Sequence, residues 1–237
     1  MKRLSILFFI NFISIYVFSQ KDITNKIDNN FGSNKKHFAY SYIGIGFMTP
    51  PTEDEGANII YGKSHTFTYG IKYKYKIANV FSIGLGINYN YQTWHLKQDE
   101  SKLIPDNILY DKEKISTNNI ASEVFFRFNF GKRDNSIGNY IDIAPYGEWV
   151  YKSERELTLS SANSNLTIGE EYNVITNVHL NYVNRYNYGL KLRFGLGRLS
   201  IFGKYRMSDF FTQDFKSSLS NTELDRLVVG IEIGLHE

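Results

Sequence analysis

Five histidines are the side chains of this 237-residue chain best suited to act as a general base. They are His37, His65, His95, His179 and His236. Ser64 precedes His65, and a hydroxyl nucleophile beside a base is the minimum that acyl-transfer chemistry needs. Neighbouring residues of a strand point to opposite faces, however, so these two side chains would not meet. We therefore expect polar histidines near the ends of strands and no catalytic residue.

Acidic runs are the second candidate for chemistry. They are Glu53-Asp54-Glu55, Asp99-Glu100 and Glu170-Glu171. Carboxylates bind Ca²⁺, which they could share with lipopolysaccharide phosphates, but no run has the spacing of a calcium-binding loop. The chain has no phosphate-binding glycine loop and no zinc motif, and it has no cysteine to form a disulfide or a thiolate site. We predict solvated charge, no metal and no cofactor.

The elements around these residues alternate with a period of two, the signature of a β-strand with unlike faces. In Thr66–Ile77 one face is aromatic and aliphatic, and the other is built from threonine, glycine and lysine. Twelve residues are long for a strand of a globular protein but suit one that crosses a bilayer at a tilt.

Eight segments share this alternation. Their predicted bounds are His37–Met48, Thr66–Ile77, Val80–Trp94, Ile120–Phe130, Asn139–Lys152, Val178–Leu196, Leu199–Ser208 and Leu227–His236. Pro145 is awkward in the fifth, because it cannot donate a ladder hydrogen bond. Short turns such as Ala78-Asn79 alternate with long loops, as in outer-membrane proteins. The sequence predicts an all-β protein: an eight-stranded antiparallel up-and-down transmembrane β-barrel over residues 38–237.

The volume of the side chains predicts which face points outward. An eight-stranded barrel has an interior only just filled by side chains, and the apolar faces are too bulky for it. The opposite faces are rich in glycine, which would leave room for inward charged side chains. The predicted interior set is Lys72, Lys74, Lys76, Glu123, Arg127, Asp142, Glu148, Lys191, Arg193, Lys204, Arg206 and Glu232. Buried charges need partners, so we expect a filled, salt-bridged interior, with an anion-selective channel as the alternative.

The N-terminus resembles an export signal. A basic start is followed by an apolar run and Ser19, which predicts a cleaved signal peptide over residues 1–19. Residues 20–37 are polar and without period, and we expect a flexible periplasmic lead-in. With eight strands, both ends of the barrel would lie in the periplasm, and the protein would be located in the outer membrane.

Three stretches carry a family resemblance. Tyr205-Arg206-Met207-Ser208-Asp209, the segment Leu224–Leu235 and Asn187-Tyr188-Gly189-Leu190 resemble the PorT-like outer-membrane β-barrel family, over most of residues 38–237. The resemblance implies an outer-membrane location and a role near type IX secretion, and it assigns no catalytic residue. The chain departs from many outer-membrane barrels by ending Leu235-His236-Glu237 rather than on an aromatic residue.

These observations together predict a non-enzymatic protein with a structural or interaction role through its outside loops. The expected partners are outer-membrane lipid, lipopolysaccharide and a protein of the cell envelope, with the chain as a monomer or an accessory subunit. A net charge of +3 without a basic cluster gives no reason to expect nucleic acid binding. Two alternatives stay open: an enzyme that modifies lipid A, and a narrow anion-permeable pore.

Overall fold

The computed structural model describes residues 30–49, 57–131, 136–159, 173–218 and 222–236. The predicted signal peptide and most of the lead-in lie outside these residues. The strands are β1 (His37–Met48), β2 (His65–Lys76), β3 (Phe81–Leu96), β4 (Lys112–Phe130), β5 (Asn139–Leu159), β6 (Asn173–Val178), β7 (Tyr186–Leu196), β8 (Leu199–Arg206) and β9 (Leu227–Leu235). A 3₁₀ turn spans Tyr61–Lys63, and the short helix α1 spans Gln213–Ser218. No helix in the described ranges combines the length and the hydropathy needed to cross a membrane.

Eight of the strands form a closed antiparallel ring. Sequential neighbours pair from β1 to β5, β5 pairs with β7, and the order continues through β8 to β9, which pairs with β1. The remaining strand, β6, lies outside the ring and pairs only with the far end of β5 among the described residues. The predicted all-β fold with eight antiparallel strands around a ring is therefore confirmed in its architecture.

The register fixes the width of the ring. We start at His37 on β1 and move around the ring from each residue to its partner on the next strand. After one full circuit this path reaches β1 again at Phe47, ten residues beyond His37. With the usual spacings along and between strands, this stagger tilts the strands by about 40° to the ring axis. A ring of eight strands has room inside for side chains and little else.

The two faces of the ring differ in polarity as well as in burial. On β7, Leu190 and Leu192 are exposed on the outside, whereas Lys191 and Arg193, which alternate with them, are buried in the interior. The same alternation runs through the other strands of the ring. This arrangement is the reverse of a water-soluble protein, in which charged residues are almost never fully buried.

The ring has two unlike ends. At the turn end, short connections join β2 to β3 and β7 to β8, and the start of β1 and the end of β9 also lie there. At the loop end lie the long connections that follow β1, β3, β5 and β8. The alternation of short and long connections predicted from the sequence is present.

Two strands are longer than predicted. The structure extends β4 to Lys112 and β5 to Leu159, so that this hairpin projects beyond the ring at the loop end. Its outward face is polar there, with Lys114 bonded to Glu156 at 3.0 Å, and the prediction missed it because the apolar pattern stops. A bulge at Tyr151 shifts the register between Asn118 and Asn119.

The predicted sixth strand, Val178–Leu196, is wrong in its first half. Residues up to Val178 belong to β6, residues 179–185 turn away, and β7 starts at Tyr186. His179 adopts a left-handed conformation with φ of 58°, which no strand residue can share. Pro145 does sit in β5, and the ladder to β4 lacks two pairs there without a change of register.

Candidate functional site

The ring interior gathers most of the charged residues predicted to lie there. Eleven of the twelve are buried, and Lys76 is the exception. Lys76 is only half-buried because it lies at the turn end, where its Nζ donates to the backbone and side-chain oxygens of Asn34, both at 3.2 Å. Lys76 therefore lies at the edge of the interior, outside the buried network.

Glu232 of β9 is at the centre of the interior. Its carboxylate contacts Lys72 at 2.6 Å, Arg193 at 3.0 Å and also Lys191. These bases come from β2 and β7, on opposite sides of β9 in the ring order. Arg193 also bonds to Glu123 of β4. The network thus spans the interior from wall to wall, which local strand pairing alone could not achieve.

A second set of contacts is the bidentate ion pair between Arg127 and Asp142. Arg127 of β4 donates through Nε and Nη2 to the two oxygens of Asp142 on β5, at 2.7 and 2.8 Å. Its guanidinium also lies 3.6 Å from the ring centroid of Tyr140, and Nη2 donates to the hydroxyl of Tyr40 at 3.0 Å. Bidentate and cation–π contacts of this kind are among the strongest that an arginine makes.

The fourth carboxylate, Glu148 of β5, is nearer the loop end. It accepts hydrogen bonds from Lys204 at 2.5 Å, from Asn90 at 2.6 Å and from Gln92 at 3.4 Å. Lys204 also lies 4.5 Å from the ring centroid of Tyr146. Bases outnumber acids in the interior set, and aromatic rings such as those of Tyr146 and Tyr140 give Lys204 and Arg127 partners besides the carboxylates.

The remaining bases are bound outside this central network. Lys74 donates to the carbonyl of Ser33, which lies in the segment that precedes β1. Arg206 reaches Glu223 at 3.4 Å and the carbonyl of Leu224 at 2.9 Å. Glu223 was not predicted as an interior residue, because its loop lacks the alternation of polar and apolar residues. Its position four residues before the predicted strand Leu227–His236 was the available signal.

Glycines on the inward faces make room for this network. A Cβ on Gly195 would lie 2.1 Å from the ring of Tyr140, and one on Gly84 would lie 2.1 Å from the ring of Phe125. Heavy atoms cannot approach so closely, so a bulky ring on one strand requires a glycine on the neighbouring strand. This is the use of inward glycine that the sequence predicts.

Clusters of buried apolar side chains lie at both ends of the interior. Phe38, Tyr40, Ile137 and Tyr140 pack together at the turn end. At the loop end a larger cluster includes Trp94, Ile104, Phe210 and Phe211. Between them, a cavity of about 10 Å³ next to Glu123 and Lys191 has room for a single water molecule.

The loop end has an ion network of its own. Glu113 on the extension of β4 contacts Lys102 and Arg155, both at 2.6 Å, and Arg155 also contacts Asp106 at 2.7 Å. Glu113 and Lys102 are buried. These contacts fix the loop between β3 and β4 against the projecting hairpin, so the loop end is an ordered surface in this region.

Ser64 and His65, the pair considered as nucleophile and base, bond to different groups of the backbone. The hydroxyl of Ser64 donates to the carbonyl of Ile60 at 3.0 Å and accepts from the backbone N–H of His95, while His65 contacts the carbonyl of Lys63. Ser64 therefore serves the backbone of this turn. Within the described residues, no group of histidines and carboxylates is placed to hold a metal ion.

No protein-family model and no curated protein matches this chain. The resemblance to the PorT-like family therefore stays a prediction from the residues.

Proposed function

We propose that this protein is an outer-membrane β-barrel with a filled interior, exported through a cleaved signal peptide, whose outward face meets lipid. Its role is structural or one of interaction, carried by the loop end outside the cell and not by catalysis. The PorT-like resemblance adds the more specific proposal that the protein is an accessory of a secretion or other envelope complex.

One observation carries the membrane proposal: the polarity of the ring is inverted, with apolar side chains outside and charges inside. Along β7, Tyr186 and Tyr188 stand on the outward face at the loop end, Leu190 and Leu192 follow, and Phe194 comes near the turn end. Aromatic residues at both edges of an apolar band are typical of barrels in the outer membrane. Water would penalise this surface, whereas a bilayer would stabilise it.

The interior supports a plug more than a pore. Conduction needs a passage with weak binding sites along it, and the interior instead pairs its charges tightly between two apolar clusters. If the ring carries no solute, its role is to hold the loops at its end in place. This leaves the loop end as the part of the described molecule suited to recognition.

The projecting hairpin supports an interaction role. Strand β6 lies at its side with Val174, Ile175 and Val178 exposed, and within the described residues its second edge carries no partner strand. Such an edge can pair with an extended segment of another chain. The buried ion network beneath the hairpin holds it in place, which lowers the entropic cost of binding.

Single cysteines test the location, because the native chain has none. Lys112→Cys places a thiol at the exposed loop end, and Ala78→Cys places one at the exposed turn end. In intact cells a membrane-impermeant maleimide should label the first variant only, and the second should react once the outer membrane is permeabilised. Labelling of both or of neither in intact cells would overturn the proposed location.

A partner is tested on the same background. Thr176→Cys on β6, carrying a photo-crosslinker, should give a discrete covalent product with a protein of the cell envelope. Lys112→Cys with the same crosslinker is the matched control. Lys112 lies on β4 of the neighbouring hairpin, away from the free edge of β6. Products from the control only, or from neither, would contradict recognition through β6.

A further inference from the structure

A pocket of about 530 Å³ opens where the chain leaves β6 and turns into β7. Its walls are formed by Trp149 and Tyr151 of β5 on one side and by the turn 179–185, with His179 and Arg185, on the other. This is within the usual size range of pockets that hold small ligands. The pocket exists because the chain departs from the continuous strand that its sequence predicts.

The walls are fixed by backbone contacts. The N–H of His179 donates to Ser153 and the N–H of Val150 donates to Arg185, each at 2.8 Å, so both ends of the turn are tied to β5. On the other side, Asn184 bonds through its side-chain nitrogen to the carbonyls of Asp209 and Phe211, at 3.0 and 2.8 Å. A pocket held in this way binds without first having to order its walls.

The lining favours a ligand with a phosphate and a polar ring. The side chain of Arg185 is exposed, lines the pocket and has no ion pair among the described residues. Arginine is the preferred residue for two-point contact with phosphate. His179 and Asn181 add further polar groups, and Trp149 and Tyr151 present flat faces with polar tips.

The position of the pocket favours a ligand that also has acyl chains. Trp149 and Tyr186 are directly paired across β5 and β7, at the loop-end edge of the apolar band. Toward the turn end the outward surface continues with the exposed Leu190 and Ile143. A headgroup in the pocket would therefore have apolar wall beneath it on which chains could lie.

We infer that this pocket binds the phosphorylated sugar headgroup of an outer-leaflet glycolipid, with lipid A as its chemical type. The acyl chains lie along β5 and β7, and Arg185 contacts a phosphate. This inference rests on the outer-membrane location proposed above. It names a defined lipid site on the ring, separate from the buried charge network and from β6.

Trp149 reports on the pocket directly. The chain has two tryptophans, and the other, Trp94, is buried in the loop-end cluster, so Trp94→Phe leaves a single reporter. Bisphosphorylated lipid A, added to this full-length protein in neutral detergent micelles, should change its fluorescence in a saturable way. Arg185→Gln should weaken the apparent affinity about tenfold, since a charge-assisted hydrogen bond is lost.

The control is Lys112→Gln, which removes an exposed cation at the same end of the molecule and should bind like the unmodified chain. Dephosphorylated lipid A should bind as weakly as Arg185→Gln binds the phosphorylated form. Glucosamine 1-phosphate saturating the pocket at the same concentration would overturn a lipid in favour of a soluble phosphosugar. An unchanged Trp149 signal, or equal loss in both variants, would overturn the site.

These outcomes are separate from those of the location test. Binding in micelles requires a folded chain and no particular membrane. If lipid A does not bind but the cysteines are labelled as expected, only the lipid site is contradicted. If lipid A binds but the labelling differs from the expected pattern, only the location is contradicted. Retained heat-modifiable mobility in gels shows that each variant is folded before it is titrated.

Discussion

Arg127 and Asp142 are directly opposite each other on β4 and β5, and their fully buried side chains are joined by two hydrogen bonds of 2.7 and 2.8 Å. The pair connects strand register to interior chemistry, because a slip of either strand by one residue would move its member of the pair to the outer face of the ring. Each of the two side chains carries a buried charge, and the opposite charge of its partner offsets the cost of burying it.

Asp142→Ala should lower the free energy of unfolding by about 3–5 kcal/mol, because it leaves the Arg127 guanidinium buried without its carboxylate. Urea unfolding in lipid vesicles measures the change. Glu154→Ala is the control, since it breaks the more exposed contact with Lys152 at 2.8 Å and should cost under about 1 kcal/mol. Similar losses in both variants would remove the special role given to the buried pair.

Glu232→Ala separates a plug from a pore. Lys72, Lys191 and Arg193 would lose their shared carboxylate, and the free energy of unfolding should fall by several kcal/mol, because buried cations are left unpaired. Planar-bilayer recording of the unmodified protein should give no steady current. Stable anion-selective steps, with an unfolding midpoint unchanged in the variant, would favour the open channel instead.

Gly195→Ala tests the fit between inward rings and inward glycines. The added methyl group would lie 2.1 Å from Tyr140, a ring already fixed by Arg127, so we expect a loss of about 1–3 kcal/mol from overpacking. Gly147→Ala makes the same chemical change on β5, where a Cβ would meet nothing within 4 Å. Urea midpoints of the two variants should differ clearly, and equal midpoints would contradict the fit.

Asp209 makes the loop end sensitive to acid. Burial alone would raise the pKa of Asp209, but hydrogen bonds from Arg226 at 2.6 Å and from Lys216 outweigh it and hold the pKa below its ordinary value of 3.8. A lowered folded-state pKa stabilises the fold above the unfolded pKa, and this contribution is lost as the pH falls through the folded pKa.

The lowered pKa of Asp209 predicts how the stability of the Asp209→Asn variant depends on pH. Its urea midpoint should be lower than that of the unmodified chain at pH 7, and the difference should shrink below about pH 4, where the Asp209 carboxyl becomes protonated in both the folded and the unfolded state. Glu100→Gln, at an exposed position of another loop, should show no such difference. A gap that persists at pH 2 would contradict the ion-pair explanation.

The alternation of residue types was enough to predict the ring because every ring strand has unlike faces. Lys191 and Leu190 could be placed on opposite sides from their spacing alone, and the structure has them so. The projecting hairpin escaped prediction because polar residues such as Lys114 stand outside where the lipid-facing pattern would need apolar ones. Its buried face, with Glu113 and Ile115, does alternate and was the available signal.

The partners of the buried charges were harder to predict. Spacing along one strand says nothing about which residue lies across the interior, so the contact between Arg193 and Glu232 requires the register of the whole ring. The pocket escaped for a different reason. It depends on the left-handed conformation of His179, and no residue type at that position demands it.

The central claim is that the apolar outer face of the ring meets acyl chains. Leu192→Trp, with both native tryptophans replaced by phenylalanine, places one reporter in the middle of this face, where the native side chain is 50% exposed. The matched protein keeps only Trp94, which is 2% exposed within the loop-end cluster. In vesicles of lipids brominated along their chains, the reporter at position 192 should lose most of its fluorescence and Trp94 should lose little. Equal quenching of the two, or an unquenched reporter at position 192, would contradict the account.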